Sequence, residues 1–276
     1  MKLLNGSELA GFIKERHAKQ VRRLKSTGIQ PKLAIVQVKD DPVINTYVRL
    51  KKHYGADVGV AVEIHTPKQS EVHELLNPST SLGAGKLGLN NDPSVHGIIV
   101  QLPLEDPSQT EEIVNMVAPE KDVDALGKNA KFEPATPMAI LWLLNGYNIN
   151  LSGRRVLLIG RGKLVGEPLE KILKSSEIDV KVVEREVENL ADYTKKADVI
   201  ITATGSPAIL YPDMIKQGAV VVDAGVASES GKTVGDLAPE VYDREDLTIT
   251  PQKGGVGPLT VCALFENVIR AASKSK

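Results

Sequence analysis

Cysteine is all but missing from this chain. Its 276 residues include one, Cys262, which excludes an internal disulfide framework and a thiolate metal cluster. Cys262 lies on the apolar face of a predicted helix, where a buried core thiol is expected rather than a nucleophile. Histidine is scarce and one-sided. All five (His17, His53, His65, His73, His96) precede residue 97 and none forms an H-x-x-x-H pair, so no metal site is expected. Neither sign of charge dominates: 34 Lys+Arg against 35 Asp+Glu leave a net charge of −1. That balance gives no reason to expect nucleic acid or an acidic membrane surface as partner. No apolar run reaches the length needed to cross a bilayer. The opening MKLLNGSEL has one lysine and only two leucines before polar residues, so no secretory signal is expected and the chain reads as cytoplasmic.

What is present is an alternation of strands and helices in both halves. Helical spacing runs from Ser7 to about Ser26, then KLAIVQV (32–38) reads as a buried strand. A helix from about Ile44 to Ala56, the strand AVEIHT (61–66) and a helical Glu71–Leu76 follow. Residues 79–92, rich in Gly, Ser and Asn, read as a loop or frayed helix. HGIIVQL (96–102) is a third strand, ended by Pro103. Ser108–Val117 is a helix with Ser108 as its N-cap, and Thr136 with Pro137 opens the next. Two α/β domains are expected, each with a mainly parallel sheet and with a cleft between them. Residues 1–136 form one domain and 137–258 the second. The final apolar helix, 259–276, packs back on the first.

The second domain carries the clearest motif, VLLIGRGKLVGEP (156–168). A buried strand runs into a glycine loop and then an amphipathic helix. Gly160 permits the tight turn, Gly162 lets backbone N–H groups approach a pyrophosphate, and Gly166 lets the helix pack closely on the strand. The spacing, G-x-G-x-x-x-G, is one residue longer than the common fingerprint. Its context is a βαβ series: Val180–Val183, VIITAT (199–204) and AVVVDAG (219–225) follow. A Rossmann-type doubly wound sheet binding a dinucleotide is the expectation, with phosphates over the positive end of the helix. No histidine in this domain is available as a proton relay.

In the first domain Tyr47 and Lys51 share one face of a helix. They read either as an amphipathic tyrosine beside a snorkelling lysine or as an acid–base site. The second reading needs a partly desolvated amine, whose pKa falls, and a neutral partner. Gln101, at the carboxyl end of HGIIVQL, is such a partner. Asp122 and Asp124, in KDVD, are either solvated turn formers or carboxylates able to take two parallel N–H bonds from an amidine-like edge. GGVGP (254–258) has more glycine than a turn needs, and close backbone approach to a flat ligand is its functional reading.

YVRLK (47–51), GIIVQLPL (97–104), KDVD (121–124), PATP (134–137), GRGKLVGEP (160–168) and ITPQKGGVGPLTV (249–261) occur in this order. End to end, the chain resembles the bifunctional methylenetetrahydrofolate dehydrogenase/cyclohydrolases. The resemblance implies oxidation of 5,10-methylene-tetrahydrofolate by a nicotinamide cofactor, then hydrolysis of the methenyl cation to 10-formyl-tetrahydrofolate. It implies Lys51 as catalytic lysine, Gln101 as its partner, Tyr47 as the aromatic stacking on the folate, and Asp124 as the carboxylate holding the pterin. Gly255 and Pro258 are further folate-binding candidates, and Thr204 is a cofactor-binding one. A homodimer is implied as well.

Several positions depart from the family pattern. GRS is GRG at Gly162, DVDG is DVDA at Ala125, PCTP is PATP at Ala135, and GIN is GVA at Ala227. The stretch between DVD and PATP is about ten residues shorter than usual, and Gln252-Lys253 replaces a prolyl segment. The family's His-Ser pair after the second nucleotide strand is Glu184-Arg185. An acid there favours ribose hydroxyls and hence NAD, whereas Arg185 with Arg161 suits a 2′-phosphate. NADP is the expectation, with NAD the alternative. Two rival readings are a shikimate-dehydrogenase-like oxidoreductase, against which VQLPL and GGVGP argue, and a non-catalytic nucleotide-binding regulator derived from the enzyme.

Overall fold

The computed structural model describes residues 1–78, 87–229 and 232–274. In chain order its first elements are β1 (Lys2–Leu3), α1 (Gly6–Ser26), β2 (Lys32–Val36), α2 (Pro42–Val58), β3 (Ala61–His65), α3 (Val72–Leu76) and β4 (Gly97–Val100). Next come α4 (Thr110–Asn115), α5 (Ala135–Gly146), β5 (Val156–Ile159), α6 (Gly166–Ser175), β6 (Val180–Val183), α7 (Leu190–Thr194) and β7 (Val199–Thr202). The last are β8 (Val220–Asp223), β9 (Ala227–Glu229), β10 (Lys232–Val234), β11 (Thr248–Ile249) and α8 (Val256–Lys274). The chain divides into two compact units, one of residues 12–135 with 261–276, the other of residues 1–11 with 136–260.

In the first unit β3-β2-β4 form a three-stranded parallel sheet, with Ile35 opposite Ile64 on one side and Ile99 on the other. Ala34, Val36, Ile98 and Val100 pack on Val72, Leu76, Ile113 and Val114 in its core. Gln101 donates its backbone N–H to Val36 O at 2.8 Å. The ladder thus persists one residue beyond β4, and Gln101 stands at its carboxyl end.

The second unit holds a six-stranded, all-parallel sheet in the order β1-β11-β8-β7-β5-β6. The order reverses at β5, as in doubly wound sheets whose ligands bind beyond the strand carboxyl ends. Leu157, Ile159, Ile200, Val221 and Ile249 are buried in its core.

The structure differs from the sequence expectations in identifiable places. The first eleven residues belong to the second unit, because Lys2 N–H donates to Leu247 O and Leu4 N–H to Ile249 O, each at 2.8 Å. Ser108 is not an N-cap: Asp106 caps the turn ahead of α4, its carboxylate accepting the Ser108 N–H at 3.0 Å and the Ser108 hydroxyl at 2.6 Å. A 3₁₀ turn, Pro107–Gln109, therefore precedes the helix. α5 begins at Ala135, which puts Thr136 inside the helix. α8 begins at Val256, three residues before Leu259. The antiparallel pair β9–β10 was not expected. Of the expected loop at 79–92, residues 79–86 lie outside the described ones, and the remainder is turn and coil. Among the described residues no helix is long and apolar enough to cross a membrane.

Candidate functional site

α2 presents two of the candidate residues, and its sequence explains its position. The Asp41 carboxylate accepts the N–H groups of Val43 (2.9 Å) and Ile44 (3.3 Å), and Pro42 opens the helix. Ile44, Val48, Gly55 and Val58 form the buried stripe. At Gly55 a Cβ would lie 2.4 Å from Val62 Cγ2, so only glycine lets α2 approach β3 this closely. Tyr47 and Lys51 lie beside that stripe, both half-buried.

Lys51 Nζ donates to Gln101 Oε1 at 2.7 Å, while Gln101 Nε2 donates to Leu102 O at 3.0 Å. The second bond orients the amide so that its oxygen faces the lysine. Burial lowers the Lys51 pKa, and the Asp124 carboxylate opposes that fall. Asp124, in turn, is raised by burial against the pull of Lys51. Lys51, Gln101 and Asp124 thus form one electrostatic group in which desolvation outweighs mutual attraction. Burial also raises Tyr47.

Asp122 has a different role. It is buried, and its carboxylate accepts the Gly127 N–H at 2.7 Å. It therefore holds the turn that follows Asp124. Ala125 sits in this turn at φ 57°, the left-handed region where a Cβ is strained.

The second unit carries the glycine loop. Gly160 has φ 95°, and a Cβ there would lie 2.7 Å from Ala203 O. A Cβ on Gly166 would lie 2.1 Å from Gly160 O, so α6 packs on the loop at a distance only glycine permits. At Gly162 a Cβ would meet nothing within 4 Å. The chain's own packing does not require glycine there, and the space over the loop is open for a phosphate at the start of α6. Arg161 is exposed and reaches back to Glu170 at 2.7 Å. Glu184 and Arg185, also exposed, follow β6. Arg185 pairs with Glu186 and donates to Ser206 Oγ at 2.6 Å. The residues present fit a dinucleotide.

Thr204 lies in a loop organised by carboxylates that sequence reasoning missed. Asp236, fully buried, accepts the N–H groups of Thr204 (2.8 Å) and Ser206 (3.0 Å). Asp223 accepts those of Gly225 (2.9 Å), Asp236 (3.0 Å) and Leu237 (3.3 Å). The two are interlocked through glycine. A Cβ on Gly225 would lie 1.9 Å from Asp236 Oδ1, and one on Gly235 would lie 2.0 Å from Asp223 Oδ2. The mirrored order, Asp-x-Gly then Gly-Asp, is the signal that would have revealed them.

Gly255 and Pro258 fall in this second unit, at the start of α8. The glycines here meet the chain's own N-terminus: Ser7 N–H donates to Gly254 O at 2.9 Å, and Gly254 has φ 82°.

The fold and these two residue sets define a two-unit α/β protein with a dinucleotide-type sheet and a separate lysine–amide–carboxylate site. The model of the tetrahydrofolate dehydrogenase/cyclohydrolase catalytic domain matches residues 4–124, and that of the family's NAD(P)-binding domain matches residues 134–276. The bifunctional protein FolD 2 of Lactobacillus johnsonii is 37% identical over 278 residues, covering 97% of this chain and 96% of its own. The crystal structure of the bifunctional FolD of Campylobacter jejuni is 36% identical, covers 99% of each chain and superposes with a TM-score of 0.89. The Trypanosoma brucei FolD structure, complexed with NADP cofactor and inhibitor, is 27% identical at a TM-score of 0.89, covering 99% of this chain and 97% of its own. This chain belongs to the tetrahydrofolate dehydrogenase/cyclohydrolase family.

Proposed function

We propose that this chain oxidises 5,10-methylene-tetrahydrofolate with NADP and hydrolyses the resulting methenyl cation to 10-formyl-tetrahydrofolate. The observation that carries this reading is the 2.7 Å bond between Lys51 Nζ and Gln101 Oε1, made by a lysine whose pKa burial depresses. Water attacking the methenyl carbon must lose a proton, and a ring nitrogen must gain one before the C–N bond opens. An amine that titrates below its usual range can move both protons, and Gln101 orients it without adding charge. Asp124 binds the pterin by accepting parallel N–H bonds, and Tyr47 stacks on its ring. When bound, the nicotinamide accepts the hydride released by the methylene carbon. Gly160, Arg161, Gly162, Gly166, Glu184, Arg185 and Thr204 are assigned to holding the dinucleotide.

Arg185 and Arg161 favour NADP by offering cations to a 2′-phosphate, and the relative crystallised with NADP supports the same choice. The test compares kcat/KM for NADP and NAD with methylene-tetrahydrofolate as substrate. A clear preference for NAD would mean that Glu184 governs the ribose site. No turnover with either would favour the nucleotide-binding regulator instead. A homodimer in the cytoplasm is the proposed state, checked by light scattering and fractionation.

A further inference from the structure

On the reading that Asp124 grips the pterin, we infer that Asn267 is the positioning residue that aims it. Asn267 lies on α8 and is 4% exposed. Its single amide nitrogen donates to Val123 O and to Glu133 O, both at 2.9 Å. These carbonyls bracket the shortened segment between KDVD and PATP. The Val123 carbonyl shares its peptide plane with the Asp124 N–H, so the bond fixes the plane from which the Asp124 side chain departs. The residue after Asp124 is the strained Ala125 at φ 57°, whose preferred conformations lie elsewhere. The turn would relax toward them if its entry were released.

Three neighbouring features hold the same segment but leave the aim of Asp124 to Asn267. Asp122 accepts the Ala125 N–H on its backbone carbonyl at 3.3 Å and those of Leu126 and Gly127 on its carboxylate, all beyond the Val123–Asp124 peptide. Val123 and Val268 side chains both crowd the space beside Gly97, which fixes the depth of Val123 but not the rotation of its carbonyl. Arg270 and Lys274 of α8 cover the Phe132 ring at 5.8 and 5.7 Å, near the far end. Only the Asn267 amide, among the described contacts, bonds both ends at once. An aliphatic side chain there leaves two carbonyls without donors, and the turn gains a reason to rotate.

The experiment is a double-mutant cycle in the full chain, with Asn267→Leu, Asp124→Ala and the pair. Asn267→Leu is expected to lower kcat/KM for methylene-tetrahydrofolate about tenfold, mainly through KM, a coupling of the size contacting residues show. In the Asp124→Ala background the same change should alter kcat/KM by less than about twofold. Losses that multiply would overturn the inference, because Asn267 would then act independently of Asp124. Full activity in Asn267→Leu overturns it too, and leaves the role of Asp124 standing. If Asp124→Ala alone has no effect, the folate reading of Asp124 falls and the inference falls with it. Circular dichroism establishes that the variants fold. Should the leucine variant not fold, Asn267→Ser, which keeps a donor, is expected to give a smaller loss that again vanishes in Asp124→Ala.

Discussion

Replacing Lys51 by methionine keeps the length and apolar stem of the side chain and deletes its amine. The deleted group is bonded to Gln101 at 2.7 Å and sits where burial disfavours its charge. Folding should therefore change little. Gln101 Oε1 loses a donor, which costs about 1 kcal/mol, while the chain no longer has to desolvate an amine. A lysine with a depressed folded pKa binds its proton less tightly in the folded state than in the unfolded chain. It lowers stability below that folded value and stops doing so above the unfolded one, so its removal is mildly stabilising at neutral pH. Catalysis should respond quite differently. Positioned acid–base groups contribute about 10²–10⁴-fold, or about 2.7–5.4 kcal/mol of barrier, and hydrolysis should fall by that factor. Dehydrogenation needs no proton relay, since the nitrogen lone pair stabilises the cation, and it should fall less. Both activities are measured on one preparation by following the methenyl absorbance and the reduced nicotinamide. In the parent the hydrolytic rate should rise with pH as Lys51 loses its proton below the usual lysine range, and that limb should be missing from the variant. Hydrolysis at near the parent rate would refute the assignment.

On the proposed role of Asp124 as the pterin carboxylate, Asp124→Ala should cost about 2–4 kcal/mol in kcat/KM for the folate; an unchanged value would remove Asp124 from the site. Ala125→Gly relieves a left-handed backbone at φ 57°. It should raise the thermal midpoint, with about 1 kcal/mol gained from released strain less the entropy glycine adds to the unfolded chain. A lowered midpoint would mean that the turn tolerates its Cβ. Asp198 is held well below the usual carboxylate range, chiefly by the Lys216 ammonium and then by the Arg155 backbone N–H. Its folded charge is therefore favoured, and the stability this provides is present above the unfolded pKa and lost as pH falls through the lower folded one. Asp198→Asn should cost about 1 kcal/mol at neutral pH, and the gap from the parent should close in urea titrations as pH drops below about 4.

The legible parts of this molecule were those whose cause is local. The face shared by Tyr47 and Lys51 follows from helical spacing, and Gln101 could be placed because a β-branched run ends beside it. Gly160 and Gly166 were readable because strand, loop and helix are contiguous. What escaped was set by particular hydrogen-bond partners, near or far along the chain. β1 is two exposed residues with no pattern of their own, and Leu247 and Ile249 make them a strand. Ser108 looks like a cap until Asp106, two residues earlier, takes its N–H and hydroxyl. Asn267 is a lone amide on an apolar helix, and its partners lie 144 and 134 residues away. No window of sequence contains both ends of those bonds.

The reciprocal fit of Gly225 with Asp236 and of Gly235 with Asp223 has a consequence for how this unit tolerates change. The two latches close the base of the excursion that contains β9 and β10, and the Asp236 carboxylate of one of them also holds the Thr204–Ser206 loop. The excursion also touches the loop itself, since a Cβ on Gly205 would lie 3.2 Å from Val226 O. The latches leave no room for a side chain. A side chain on either glycine collides with the opposite carboxylate, and shortening an aspartate strands the amides it held. A change at one corner must be met by a change at the other, so the four residues constrain one another.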